Sequence, residues 1–289
     1  MNSEPRTRVI MVDGIPMSAL TIQVPEPRAV IVAVHGGGVT ARYFDCPGHP
    51  RLSLMRAAAS RAFTVIALDR PGYGASALYQ DEMTDPSRRT ELAFGAVDAI
   101  VAGDGGAGLF VMAHSSGCEL GLRMAGNHTR DDVLGVELAG TGTRFAAGVR
   151  AAISQATTAS RPAGLRDLLW QPTGLYPAEV LSGQLSAPGA AYEADVTTHW
   201  ADRDFPAAAA LVTVPVQFSV AEYERVWEAT PEALADIAAL FTGSPSVTVN
   251  EMGGSGHNLS VGSTAVEYHR RVLSFADHCT RNVDEMEAP

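Results

Sequence analysis

The stretch VMAHSSGCEL, residues 111–120, has the pattern of a strand that turns sharply into a helix with a serine at the turn. The tip residue of such a turn takes a strained backbone conformation, and the residues two before and two after it approach closely. With Ser115 at the tip, these flanking residues are Ala113 and Gly117, which are both small. With Ser116 at the tip they would be a histidine and a cysteine, which are bulkier. Ser115 is therefore the better candidate, although a serine that only caps the following helix fits the same stretch.

The chain on both sides of this turn alternates between strand-like and helix-like segments. Residues 29–34, AVIVAV, are apolar at every position, which is typical of a strand buried on both faces of a parallel sheet. Helical spacing of apolar residues follows at 53–62 and 87–103, and the alternation continues through residue 141. This order predicts an α/β fold in which a mostly parallel central sheet is flanked by helices.

Residues 142–210 interrupt the alternation, because they contain no strand-like run and are rich in alanine, leucine and proline. Large aromatic residues are scattered through this segment at Phe145, Trp170, Tyr176, Tyr192, Trp200 and Phe205. A flexible linker rarely holds so many large apolar groups, so we predict a helical cap inserted into one core domain. The core would consist of residues 1–141 and 211–289, where strand and helix patterns resume.

Composition narrows the classes of partner. A chain of 289 residues can bury a sizeable core without cross-links. A formal net charge of −11, with no basic run, argues against nucleic acid or an anionic membrane as a partner. The three cysteines fit neither a disulfide framework nor a zinc site, which indicates a reducing, cytoplasmic environment. We find no signal peptide pattern and no run of about 18 apolar residues that could span a membrane.

Other short motifs accompany the serine turn in a definite order. They are HGGG at 35–38, DRPGYGAS at 69–76, EYERVW at 222–227 and GSGHNLS at 254–260. Together with AHSSG at 113–117, they resemble the α/β-hydrolase family over nearly the whole chain except residues 142–210. The resemblance implies the α/β-hydrolase fold and a catalytic triad in the order serine, acid, histidine. Asp69 and Arg70 of the second motif could line the site, but in relatives that loop mainly shapes the scaffold.

A serine hydroxyl is a poor nucleophile near neutral pH and needs a base within hydrogen-bond reach. His257 is the predicted base, since it lies in a glycine-rich loop between a strand and the last helix. A carboxylate should fix the tautomer of this imidazole. The motif of relatives puts that acid at Glu224, with Glu222 as the alternative, and a glutamate departs from the family's usual aspartate.

A developing oxyanion needs backbone N–H donors aimed at it. Ser116, at the start of the helix, offers one such N–H group. By resemblance, the second comes from the residue after His-Gly, which is Gly37, with Gly38 as the alternative. Glycine lets this backbone approach a ligand closely.

A serine nucleophile implies acyl chemistry rather than the alkyl-ester chemistry of relatives that carry an aspartate. We therefore expect an acyl-enzyme hydrolase for carboxylic esters or thioesters of a small to medium, largely apolar substrate. We expect no cofactor, and no histidine pair has the spacing of metal ligands. An acyltransferase or cyclase with the same residues, and a non-catalytic ligand-binding protein on this fold, remain alternatives. The sequence also leaves a homodimer open.

Overall fold

A single sheet forms the centre of the computed structural model, which describes residues 4–103, 105–154 and 163–287. Its strands are β1 (Arg6–Val12), β2 (Ile15–Ile22), β3 (Val30–Val34), β4 (Thr64–Leu68), β5 (Leu109–His114), β6 (Val133–Ala139), β7 (Val216–Tyr223) and β8 (Val247–Gly256). Their order across the sheet is β1-β2-β4-β3-β5-β6-β7-β8. The β1–β2 and β2–β4 pairs are antiparallel and the others are parallel. The predicted mostly parallel sheet is confirmed.

Helices connect the strands and cover the sheet. They are α1 (Leu54–Ala59), α2 (Pro86–Val101), α3 (Cys118–Ala125), α4 (Val149–Ser154), α5 (Ala163–Trp170), α6 (Ala178–Leu181), α7 (Glu193–His199), α8 (Phe205–Ala209), α9 (Pro231–Ala239) and α10 (Ala265–Glu287). The start of α2 follows from local chemistry, since the Asp85 side chain accepts the N–H of Ser87 and Pro86 occupies the first helical position. Within the described part of the chain, no helix is both long and apolar enough to cross a membrane.

The core has two layers, one on each face of the sheet. In β3, Val30, Val32 and Val34 join the cluster that includes side chains of α2 and α3. The alternate residues Ile31 and Ala33 join the cluster that includes side chains of α1 and α10. Successive side chains of a strand point to opposite faces, so a strand covered on both faces is apolar at every position. This is the physical reason for the AVIVAV pattern.

Helices α4 to α8 lie within residues 142–210. The described residues of this range form helices, turns and loops, apart from a single bridge between Phe145 and Trp227. Trp200 and Phe205 belong to the same buried cluster as α2 and α3. These two aromatic side chains therefore pack onto one of the layers that cover the sheet. The division of the chain into a core and a cap stays a prediction.

Candidate active site

Ser115 occupies the tip of a sharp turn between β5 and α3. Its φ of 52° lies in the left-handed region, where a residue other than glycine is strained. A Cβ atom at Gly117 would lie 2.4 Å from the carbonyl oxygen of His35, so only glycine fits there. A Cβ at Gly121 of α3 would lie 2.5 Å from the Cβ of Ala113, so the helix and strand are in close contact. Small residues on both sides of the tip thus allow the turn.

Three side chains from separate parts of the chain are in contact at this turn. His257 Nε2 lies 3.1 Å from Ser115 Oγ, and His257 Nδ1 lies 2.9 Å from Glu224 Oε2. The side chains of His257 and Glu224 are each only 2% exposed. An ionised carboxylate can only accept a hydrogen bond, so the ring proton lies on Nδ1 and the Nε2 lone pair faces the serine hydroxyl. Ser115, Glu224 and His257 follow β5, β7 and β8, whose carboxyl ends meet at one edge of the sheet.

Glu224 is held in its ionised form by its surroundings. Burial raises its pKa and is the largest single influence, but His257 and the N–H of Val226 outweigh burial, so the pKa lies below its ordinary value. The N–H groups of Arg225 and Val226 donate to Oε1 at 3.0 and 2.9 Å. Glu222 instead accepts the N–H of Gly254 at 2.7 Å and is exposed. Of the two acids that the sequence leaves open, Glu224 is the one in contact with His257.

His114 supports the site in a way that the sequence does not reveal. Its Nε2 donates to the backbone carbonyl oxygen of His257 at 2.9 Å. The ring also stacks on Tyr43, with the two ring centres 4.8 Å apart. Burial is the main reason why the pKa of His114 falls to about 3, so the ring is neutral at physiological pH. A neutral, fixed imidazole therefore holds the backbone of His257 in place.

The residues that carry the two candidate oxyanion donors lie close together. A Cβ atom at Gly37 would lie 3.1 Å from Ser116 Oγ, so the two backbone segments are close together. The N–H of Gly38 donates to the hydroxyl of Tyr73 at 3.0 Å, whereas no described residue accepts the N–H of Gly37. Ser116 lies in the first turn after β5, where backbone N–H groups have no acceptor within the helix. This geometry favours Gly37 over Gly38 as the donor from the HGGG loop.

Two neighbouring residues of the DRPGYGAS loop, Asp69 and Arg70, have different positions: the first supports the scaffold and the second lies next to the site. Asp69 accepts hydrogen bonds from Ser18 Oγ at 2.6 Å and from the N–H of Ala41 at 2.8 Å, so it holds neighbouring loops together. Arg70 instead donates to the carbonyl oxygen of Gly36 in the glycine loop and pairs with Glu193 of α7. No sequence motif marks Glu193, so its place next to the site is visible only in the structure. Within the described ranges, no cluster of three histidine, cysteine, aspartate or glutamate side chains could hold a metal ion.

A mostly parallel sheet with a serine turn after a central strand, and with a histidine and an acid at the same edge, defines a class of protein. The model of the alpha/beta hydrolase family matches residues 31–271 of the sequence, so the chain belongs to that family. The resemblance drawn from the motifs is confirmed. No curated protein matches the chain.

Solved structures with the same fold include a lactonase, a carboxyl esterase and a thioesterase domain. An N-acyl homoserine lactonase complexed with N-hexanoyl homoserine superposes with a TM-score of 0.70 and 15% identity, over 96% of this chain and 98% of that chain. A thermostable carboxyl esterase from Bacillus coagulans superposes with a TM-score of 0.70 and 14% identity, over 96% of this chain and 99% of that chain. A thioesterase domain from the curacin biosynthetic pathway superposes with a TM-score of 0.61 and 16% identity, over 93% of this chain and 99% of that chain. At such low identity these similarities show the shared fold alone.

Proposed function

We propose that the protein is a serine hydrolase that cleaves a carboxylic ester or thioester through an acyl-enzyme intermediate. The observation that carries this proposal is that His257 contacts Ser115 through one ring nitrogen and Glu224 through the other, at 3.1 and 2.9 Å. A base that is hydrogen-bonded to the nucleophile and oriented by a carboxylate is the arrangement that activates a serine hydroxyl. The lactonase, esterase and thioesterase among the similar folds agree with acyl chemistry.

The first half of the reaction forms the acyl-enzyme. Ser115 Oγ attacks the substrate carbonyl carbon, and its proton moves to His257 Nε2. The oxygen of the tetrahedral intermediate gains negative charge, which the N–H groups of Gly37 and Ser116 stabilise. Glu224 stays ionised and stabilises the imidazolium that forms. The bond to the leaving oxygen or sulfur then breaks, and the leaving group takes the proton from Nε2.

The second half releases the product by the same steps with water as the nucleophile. His257 Nε2 takes a proton from the water molecule, whose oxygen attacks the acyl carbon. The second tetrahedral intermediate uses the same two N–H donors. Collapse breaks the bond to Ser115 Oγ, which recovers its proton from Nε2, and a carboxylic acid leaves. If a hydroxyl or amine replaces water, the same residues give an acyltransferase or cyclase.

Aromatic side chains beside His257 favour a largely apolar substrate of small to medium size. A Cβ atom at Gly140 would lie 3.1 Å from His257 Cε1, and the Trp227 Nε1–H donates to the Gly140 carbonyl at 3.0 Å. Trp227 stacks on Phe145 with their ring centres 4.3 Å apart. Both side chains are only partly buried, so they offer apolar surface close to the candidate base.

Labelling with a fluorophosphonate probe tests the proposal. Native protein should be labelled at Ser115, and Ser115→Ala should abolish both labelling and turnover, with a loss of about 10⁴-fold or more in kcat. Ser116→Ala should retain most of the activity, because the mechanism uses only the backbone N–H of that residue. Equal losses in both variants would show that the wrong serine was assigned. An unlabelled native protein would favour a non-catalytic ligand-binding role.

A substrate panel then separates the chemistries that share this site. Hydrolysis rates of p-nitrophenyl esters and acyl thioesters of graded chain length give the preferred acyl group. Product analysis with and without an added alcohol or amine separates hydrolysis from acyl transfer. A transfer product that exceeds the free acid at low acceptor concentration would replace the hydrolase proposal with the transferase.

A further inference from the structure

A single buried guanidinium contacts carbonyl groups of both backbone segments that carry the candidate oxyanion donors. Arg70 is only 1% exposed. Its Nη2 donates to the carbonyl oxygen of Gly36 at 3.1 Å, and its Nη1 lies 3.5 Å from the carbonyl oxygen of Ser116. The Gly36 carbonyl shares a peptide unit with the N–H of Gly37, so this contact bears directly on that candidate donor. The Ser116 carbonyl instead shares a peptide unit with the N–H of Gly117.

His35 holds the same carbonyl group from a second direction. The backbone N–H of Arg70 donates to His35 Nε2 at 3.1 Å, so the ring proton of His35 must lie on Nδ1. That Nδ1–H donates to the Gly36 carbonyl oxygen at 2.7 Å. Burial, and then the positive charge of Arg70, holds the pKa of His35 well below its ordinary value. The ring is therefore neutral, and its tautomer is fixed.

Holding this carbonyl group fixes the direction of the neighbouring N–H group. A trans peptide bond is planar, so the carbonyl of Gly36 and the N–H of Gly37 point in opposite directions within one rigid unit. Two donors on the carbonyl oxygen therefore orient the Gly37 N–H. An N–H group that is already oriented stabilises developing charge without having to reorganise during the reaction.

The helical segment supplies the partner that holds Arg70 in this position. Glu193, the first residue of α7, accepts a hydrogen bond from Arg70 Nη2 through Oε1 and from the Tyr73 hydroxyl through Oε2, the second at 2.7 Å. The Tyr73 hydroxyl in turn accepts the N–H of Gly38 at 3.0 Å. A buried charge without a partner is strongly unfavourable. Glu193 therefore completes the support of the glycine loop through both Arg70 and Tyr73.

We propose that Arg70 is a positioning residue for the Gly37 oxyanion donor and that Glu193 sets its geometry, so that α7 contributes to transition-state stabilisation without touching the substrate. This inference rests on the proposed function. The kinetic consequence is specific. A misaligned Gly37 N–H weakens binding of the transition state more than binding of the substrate, so kcat falls while KM changes little.

The test compares two isosteric variants on the same helix. Glu193→Gln removes the charge that pairs with Arg70, and Asp195→Asn removes an exposed charge whose ion-pair partner is His199 at 3.7 Å. With the best ester of the panel, Glu193→Gln should lower kcat by about 10-fold, with KM within about 2-fold of the native value. Asp195→Asn should change neither constant. The rate of fluorophosphonate labelling should fall in parallel with kcat.

A double-mutant cycle checks that Glu193 acts through Arg70. Arg70→Lys keeps the positive charge but loses the planar fork that reaches two acceptors, so it should lower kcat by about 10-fold to 100-fold. Adding Glu193→Gln to Arg70→Lys should lower kcat by no more than about another 2-fold, since residues that act as one unit are not additive. If Arg70→Lys fails to fold, Glu193→Gln and its labelling rate decide alone.

The possible results separate this inference from the proposed function. A native protein that is labelled and active, together with an unchanged kcat in Glu193→Gln, would overturn the positioning role alone. A Glu193→Gln variant that raises KM at constant kcat would also overturn it, because it would make Glu193 a substrate-binding residue. An unlabelled, inactive native protein would overturn both proposals together.

Discussion

The carboxyl edge of the sheet and the helical segment 142–210 both contribute a glutamate to the site, but they hold it in different ways. Glu224 follows β7 and is fixed by two backbone N–H groups at 3.0 and 2.9 Å. Glu193 begins α7, a helix of seven residues whose start has no side-chain cap, and its contacts to Arg70 and Tyr73 are made by side chains. Glu224 is therefore fixed by backbone N–H groups of its own loop, and Glu193 is fixed by side chains of other elements.

This difference shows which part of the site tolerates change. Backbone contacts at the sheet edge depend on strand register and on turns that accept only certain residues, such as glycine at position 117, where a Cβ would lie 2.4 Å from a carbonyl oxygen. Side-chain contacts of the helical segment can rearrange when a neighbouring helix moves. Substitutions at the sheet edge should accordingly have larger effects than those in residues 142–210.

Among the tests of this difference, the largest expected effect compares two acids at the sheet edge. Glu224→Gln removes the charge that stabilises the His257 imidazolium and allows the wrong tautomer, so kcat should fall by roughly 10³-fold to 10⁴-fold. Glu222→Gln changes an exposed side chain that contacts the N–H of Gly254 and should lower kcat by less than about 2-fold. Steady-state kinetics on one ester measures both. A larger loss in Glu222→Gln would move the acid to the other glutamate.

A pair of glycine variants compares the two regions directly. Gly117→Ala forces a Cβ against the backbone of His35 and should lower the free energy of unfolding by about 1–3 kcal/mol, with a loss of activity. A Cβ at Gly164 in α5 meets no atom of the described residues within 4 Å, so Gly164→Ala should leave stability within about 1 kcal/mol of the native value, because alanine favours helix. Urea denaturation followed by circular dichroism measures both. Equal losses would refute the contrast between the two regions.

The smallest expected effect concerns the pH dependence of stability and tests whether water reaches a carboxyl group in the interior of the sheet. Burial raises the pKa of Glu137 in β6 to about 8. The folded state then binds a proton that the unfolded state releases above about pH 4.3, so the free energy of unfolding falls as pH rises towards 8. Glu137→Gln should remove this loss, so its gain in Tm should be several degrees larger at the alkaline end than at the acid end.

The control for that measurement lies two strands away in the sheet. Glu251 of β8 is exposed, so Glu251→Gln should leave the dependence of Tm on pH as it is in the native protein. Calorimetry across this pH range measures the Tm of both variants. An unchanged slope in Glu137→Gln would mean that water reaches this carboxyl group.

Much of this fold could be predicted from the sequence, because fully apolar strands and amphipathic helices alternate with glycine-rich turns. The order of the short motifs singled out Ser115, Glu224 and His257, and these three side chains are in contact in the structure. The support provided by Arg70 and Glu193 could not be predicted in the same way. These residues lie 123 positions apart, and their contact depends on how helices of four to eight residues pack over the sheet. No local pattern encodes that packing.

The three cysteines are free and buried, which makes them reporters of unfolding. Burial raises the pKa of Cys46 to about 11 and that of Cys279 to about 12, and it raises the pKa of Cys118 further still. Thiolates, not thiols, react with alkylating reagents, so the folded protein should resist iodoacetamide and maleimides. The chain also contains no lysine. An electrophilic ester probe therefore meets few competing nucleophiles on the folded protein. The rate of thiol alkylation measures how often unfolding exposes the buried cysteines.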